Sequence, residues 1–309
     1  MTRAIVAGIF LVSLTIWAHQ SAWSAGWVYE DRAAFTSAQQ QTGGWFSQRS
    51  LSAWTWRVTP TPRAAHLVSL ALYLASGGLV GVAAWRLGWT TLGAWTASTV
   101  WLLHPMTVES AVYAKARADA MALLGVLIAV VAAAGRWWRV WSLAGILLGA
   151  LIAVGSKQAG VVVLLLVPLT IWACRVRTAR EAPQWAPWWY PALIAAALLA
   201  TGVEWYGGVR ALVNADSEAG IALATDVTWV QWGVAQGGAV WYWLVATVWP
   251  AWLTPDADID SVAPLARGMG LGVLVATAGA AWMLRTRAPR VSLGCSWVVC
   301  GVLPRLLIQ

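Results

Sequence analysis

Long uncharged stretches recur along this chain, separated by short connections that collect its charges. They fall at about residues 4–18, 67–85, 92–103, 120–134, 141–154, 160–174, 188–203, 229–253, 268–284 and 291–303. Several approach the roughly 20 apolar residues a helix needs to cross the hydrocarbon layer of a bilayer. In lipid, backbone N–H and C=O groups find no water, so each stretch predicts a helix that satisfies them internally. The pattern therefore predicts an all-α chain packed helix on helix in a membrane. No tetratricopeptide period, heptad or low-complexity tract interrupts it.

Composition agrees: 60% of the 309 residues are apolar, 10% are charged and the mean hydropathy is +0.66. These values exclude a soluble enzyme, a disulfide scaffold and a disordered chain. Cys174, Cys295 and Cys300 lie in apolar runs without framework spacing and read as small buried hydrophobes. The net charge of +8 matters mainly through its placement. Arg136 and Arg139, then Arg175, Arg177 and Arg180, then Arg285, Arg287 and Arg290 crowd into short connections, with Arg3 and Arg86 at two other ends. Short basic loops favour the cytoplasmic face, which puts the amino terminus inside and satisfies every cluster through the first six spans.

The last basic cluster then fails parity by one crossing if residues 229–253 span fully. Gln231, Gln236 and the pair Gly237-Gly238 interrupt that Trp-rich stretch, so it is predicted to be re-entrant or interfacial. The expectation is a single multi-pass membrane domain over 1–309, with about nine transmembrane helices and one helix at 229–253 that does not cross. Outward regions are 19–65, 104–119 and 204–267. A basic start before an apolar run of about 15 residues also suits a signal peptide, but a small-x-small cleavage site is poorly formed around Ser21 to Ala25, so a retained first span is expected. The 26 Trp fit membrane interfaces, where ring and N–H are both satisfied; Trp23, Trp27, Trp89, Trp137, Trp138, Trp188 and Trp189 sit at such ends. A ring-stacking surface for a sugar or pigment is the alternative use, and no spacing selects particular Trp residues for it.

Candidate chemistry lies in the outward regions. Glu30 and Asp31 are adjacent acids just beyond the first span, suited to one acting as general base while the other orients it, or else an incidental pair in a solvated loop. Between Trp101 and Asp119 the chain turns polar: His104-Pro105 ends a span, and Glu109, Lys115, Arg117 and Asp119 follow. Of the cations only Lys115 and Lys157 are lysines, and both fall in outward turns. With Arg117 they could meet a phosphate, or they could snorkel or pair with Glu109 and Asp119. His19, His66 and His104 come from three separate spans without ligand spacing, so no metal site is expected. No phosphate-binding glycine loop, nucleophile elbow or zinc motif occurs, and no nucleic-acid partner is implied.

Taken in order, Tyr29-Glu30-Asp31, His66-Leu67-Val68-Ser69, HPMTVES from His104 to Ser110, Ala116-Arg117-Ala118-Asp119, Ser156-Lys157-Gln158, VWPAWLTPDAD from Val248 to Asp258 and SWVVCGVLPR from Ser296 to Arg305 resemble a known set of blocks. The set belongs to the lipid-linked-sugar-dependent membrane glycosyltransferases of the GT-C class, and is closer to the membrane domain of the transmembrane and tetratricopeptide-repeat O-mannosyltransferases and their bacterial relatives. Here Glu30 stands for an Asp, Ala116 for a Gly and Gln158 for an acid, and the chain stops at Gln309 after a block that in relatives leads into further spans. A shortened or degenerate member is one expectation.

The resemblance implies inverting transfer of a sugar from a polyprenyl-phosphate donor to a protein or glycan acceptor on the outer, periplasmic side of a bacterial inner membrane. It implies Asp31 as base with Glu30 as helper, Lys115, Arg117 and Lys157 on the donor phosphate, and His104, Glu109 and Asp119 orienting cations or sugar. It calls for no cofactor and no metal, since phosphate already leaves as a stable anion. The competing expectation is a non-catalytic, Trp-rich accessory subunit of a larger membrane complex that keeps the GT-C-like fold.

Overall fold

The computed structural model describes residues 2–20, 26–28, 31–40, 50–135, 139–177, 229–250 and 262–307. Every regular element among them is helical. The chain forms two compact units, Met1–Val163 and Leu164–Gln309. In the first unit lie α1 (Thr2–Ala18), α2 (Asp31–Gln40), α3 (Ser50–Val58), α4 (Pro62–Arg86), α5 (Thr91–Leu103), α6 (Val108–Val112), α7 (Arg117–Ala134) and α8 (Arg139–Ser156). In the second, α9 (Val163–Arg177) is followed by α10 (Trp229–Val248), α11 (Pro264–Leu284) and α12 (Pro289–Leu307).

The predicted stretches fall inside helices with three exceptions: 160–174 runs from the turn Gln158–Val162 into α9, 229–253 is helical over Trp229–Val248 with 251–253 outside the described residues, and 188–203 lies wholly outside them. Among the described residues three helical segments are long and apolar enough to cross a bilayer: Pro62–Arg86, Ala114–Ala134 and Pro264–Leu284. Shorter apolar helices occupy Val6–Ala18, Val140–Ser156 and Ala159–Cys174. The predicted outward regions 19–65 and 104–119 differ from the open loops expected of them. The first contains α2 and α3, and the second is nearly all helical, through turns at Pro105–Thr107 and Ala114–Ala116, α6 and the start of α7. Hydropathy marks the uncharged middle of a helix and misses charged residues in its first turn, so Arg117 and Asp119 belong to α7. Of the outward region 204–267, the parts at 204–228 and 251–261 lie outside the described residues.

Local chemistry sets the helix ends. The Thr61 hydroxyl accepts from the Ala64 N–H at 3.2 Å, and Pro62 occupies the first turn, where its missing N–H costs nothing. At the other end Gly88 takes a φ of 86°, while the N–H groups of Leu87 and Gly88 return to the carbonyls of Ala83 and Trp85. A side chain would be strained there, so glycine lets α4 stop and reverse. Thr90 caps α5 through the Gly93 N–H, and His104-Pro105 ends it.

In the first unit α7 is the most enclosed helix, with Ala120, Val126, Leu127, Ala129 and Val130 buried. It meets α8 along a face of small residues. A Cβ at Gly125 would collide with the backbone of Gly149 and Ala153, and one at Gly149 with the backbone of Gly125 and Ala129. Close backbone approach of this kind holds helices together where lipid removes the hydrophobic incentive. Hydroxyls add to it: Ser98 Oγ donates to the Gly77 carbonyl at 2.6 Å and Ser76 Oγ to that of Ala120 at 3.3 Å. In the second unit Gly237 of α10 and Gly270 of α11 meet in the same way, and Ser292 of α12 donates to the Ala281 carbonyl at 2.6 Å.

Gly125→Val and Gly149→Val should each force α7 and α8 apart and destabilise the purified protein by about 1–3 kcal/mol. Gly78→Ala, where nothing lies within 4 Å of the added carbon, should instead raise stability by up to about 1 kcal/mol. Thermal unfolding in detergent measures both.

Candidate functional site

The polar residues that sequence placed in separate outward turns are drawn around the start of α7. Asp31 opens α2, where a carboxylate meets the positive end of the helix dipole. Its backbone N–H donates to the Val28 carbonyl at 3.0 Å, and its Oδ2 accepts from the Val28 N–H at 3.2 Å. Its Oδ1 accepts from the backbone N–H of Lys115 at 2.7 Å, across 84 residues. The side chain is fully buried. Burial out of water raises its carboxyl above the ordinary 3.8; the N–H groups of Lys115, Val28 and Ala114 and the nearby His66 pull the other way without overcoming it.

Arg117, the first residue of α7, is also fully buried, where sequence placed it on an open loop. Its guanidinium lies 3.6 Å from the centre of the Trp56 ring, a cation–π contact in a dry setting. Its Nε donates to the Ala114 carbonyl at 3.0 Å, and its Nη1 to the hydroxyls of Thr59 at 2.9 Å and Thr55 at 3.4 Å. Those hydroxyls in turn donate to the carbonyls of Thr55 and Ser52, so each is aimed by its own helix end. Nη2 is buried and has no partner. The charges of Arg117 and Asp31 lie close enough to interact.

Around this pair Trp27 stacks on Phe35 with ring centres 5.1 Å apart, and both rings lie against Trp56, at 6.0 and 6.5 Å. Arg57 Nε donates to the Ala38 carbonyl at 3.2 Å and ties α3 to α2. His66, in the first turns of α4, is buried with Nε2 3.0 Å from the Gly26 carbonyl oxygen and Nδ1 without a partner. Asp119, in the first turn of α7, receives Lys157 Nζ at 2.5 Å; the two side chains are 50% and 27% exposed, so this ion pair is open to solvent where Asp31 and Arg117 are closed off. Lys157 stands in extended backbone between α8 and the turn Gln158–Val162.

Asp31, Lys115 and Arg117 thus form one group, with Asp119 and Lys157 beside it on the same end of α7. His104 acts locally. Its ring Nδ1 accepts from the Met106 N–H at 3.2 Å and its carbonyl receives the Thr107 hydroxyl, which closes the turn after α5. Glu109 is exposed on α6. Glu30 lies outside the described residues. Trp56, Thr55 and Thr59, which hold Arg117, were not singled out by sequence, because nothing in WTWRVT marks one Trp among 26 as the floor of a cation.

A second polar group links α1 to the end of α5. The Tyr73 hydroxyl donates to the Leu102 carbonyl at 2.8 Å and lies 2.8 Å from the Thr107 hydroxyl. His19 packs edge-on against the Tyr73 ring at 5.4 Å. Burial lowers its pKa below the ordinary 6.5, opposed by a hydrogen bond to the Leu102 carbonyl. His19 and His66 therefore serve different groups. Among the described residues no set of three or more His, Cys, Asp or Glu is placed to hold a metal ion. No protein-family model, curated protein or solved structure matches this chain.

Because folding favours the protonated form of Asp31, its contribution to stability is present below pH 3.8 and is lost as pH rises through the raised value. Unfolding midpoints of the wild type minus those of Asp31→Asn, measured in detergent across that range, should decline with rising pH.

Proposed function

We propose that the chain is a membrane glycosyltransferase of GT-C-like architecture. In this reading it has about nine spans, a non-crossing helix at 229–253 and a cytoplasmic amino terminus in a bacterial inner membrane. It moves a sugar from a polyprenyl-phosphate donor to a protein or glycan acceptor on the periplasmic side. The observation that carries the reading is the gathering of Asp31, Lys115, Arg117, Asp119 and Lys157, drawn from three distant parts of the sequence, at one end of α7.

Transfer asks for two things at that place. The acceptor hydroxyl must lose its proton as its oxygen attacks the anomeric carbon, while the bond from that carbon to the phosphate oxygen breaks with inversion. Asp31 takes the proton; its two oxygens offer more lone pairs than the backbone N–H groups they accept from, and a carboxyl raised by burial is a stronger proton acceptor. Glu30 is its helper. The departing polyprenyl phosphate gathers negative charge that cations must meet. Lys157 is part-exposed and held by Asp119, Lys115 sits in the adjoining turn, and Nη2 of Arg117 is the guanidinium nitrogen left for an oxygen. In this reading His104, Glu109 and Asp119 orient the cations or the sugar, Asp119 by holding Lys157. The leaving phosphate is stable as an anion, so the reading calls for no metal or other cofactor.

One observation favours a second reading, the non-catalytic accessory subunit. Asp31 is wholly enclosed and serves two backbone N–H groups, as a fastening between α2 and α7 would. Donor turnover in membranes separates the two. For an enzyme, Asp31→Asn should lower turnover by about 10²–10⁴-fold, and Lys157→Ala by about 10²-fold. The wild-type rate should fall as pH drops through a value above 3.8, the sign expected of a base with a raised carboxyl. Folded variants that turn over donor at the wild-type rate would make the assigned roles wrong, and a folded wild type that turns over no donor would leave the accessory reading.

A further inference from the structure

The second unit carries a feature that glycosyl transfer does not use. From residue 262 to 307 the chain contains Arg267, Arg285, Arg287, Arg290 and Arg305 and no Asp or Glu. Three of these arginines crowd the turn between α11 and α12. The Arg285 guanidinium lies 3.8 Å from the centre of the Trp282 ring and its Nη1 donates to the Trp282 carbonyl at 2.7 Å, so it is held at the end of α11. Arg287 and Arg290 are exposed, and among the described residues neither makes an ion pair. The first turn of α12 begins at Pro289, which adds the positive end of a helix dipole to the same turn.

The surface that runs into this turn is apolar. Only 6% of the apolar window of α11 is buried, and Val275, Trp282 and Met283 are 71%, 68% and 75% exposed. A cationic turn next to a bare apolar helix long enough to cross a bilayer matches a molecule that is anionic at one end and hydrocarbon along its length. Trp at the junction suits the boundary between headgroup and chain. We propose that Trp282, Arg285, Arg287 and Arg290 form a binding site for the phosphate headgroup of an anionic phospholipid, with its acyl chains along the exposed face of α11. An acidic peptide would answer the arginines but would leave the apolar face bare, so lipid is the occupant that fits both.

The site is tested with the full chain purified in detergent and placed in phosphatidylcholine nanodiscs carrying a trace of labelled phosphatidylglycerol or labelled phosphatidylcholine. The expected result for the wild type is enrichment of phosphatidylglycerol over phosphatidylcholine at the protein. It should fade toward 1 M salt, where charges are screened beyond about 3 Å. Each Arg→Gln change among Arg285, Arg287 and Arg290 should weaken that enrichment by up to about fivefold, while the triple Arg→Lys variant should keep most of it. Equal retention of the two lipids by the wild type would overturn the proposal without recourse to any variant. So would a folded triple Arg→Gln variant with undiminished enrichment, or displacement of the lipid by millimolar inorganic phosphate, which would mark a site for free anion.

Discussion

A charge taken out of water must be given partners, and the polar end of the first unit is arranged around that demand. Asp31 and Arg117 are both fully enclosed. An ionised group in such a place is tolerable only when oriented dipoles replace the water it lost. The carboxylate receives backbone N–H groups from two different segments, and the guanidinium receives a carbonyl, two threonine hydroxyls and an indole face. These requirements bring α2, α3, the turn before α7 and the first residues of α4 to one place. Removing either charged group would strand the partners that surround it.

Elsewhere cohesion has a different origin. Apolar helices gain little by leaving lipid for one another, so contact depends on how close their backbones can come. Gly125, Gly149 and Ala153 let α7 and α8 meet, and Gly237 and Gly270 do the same for α10 and α11. The glycines that matter are those facing backbone; Gly78, Gly268 and Gly272 face open space. The same physics leaves the outer face of α11 uncovered, because an apolar surface in lipid needs no partner.

Burial decides how the ionisable groups can act. Asp31 and Arg117 are shielded from screening, and the carboxylate charge acts on the guanidinium. Asp119 and Lys157 face solvent, where an ion pair contributes little stability but can exchange its partner for an incoming anion at small cost. The enclosed carboxylate and the accessible ion pair thus meet different surroundings at the same end of α7.

Helical content and the position of nearly every apolar helix were legible in the sequence, because a stretch without charges in lipid has one way to satisfy its backbone. The acids and cations around α7 were legible too, as polar exceptions in an apolar chain. Their enclosure was not. Arg117 read as a loop cation because hydropathy cannot tell a charge at a helix end facing water from one turned inward onto a ring. That Trp56, Thr55 and Thr59 supply its surroundings depends on a helix about 60 residues away in the chain, and no local pattern encodes that meeting. What the sequence determined alone was the kind of solvent each segment requires. Which charges face that solvent, and which face one another, was decided by tertiary packing, since desolvation depends on what lies across the gap.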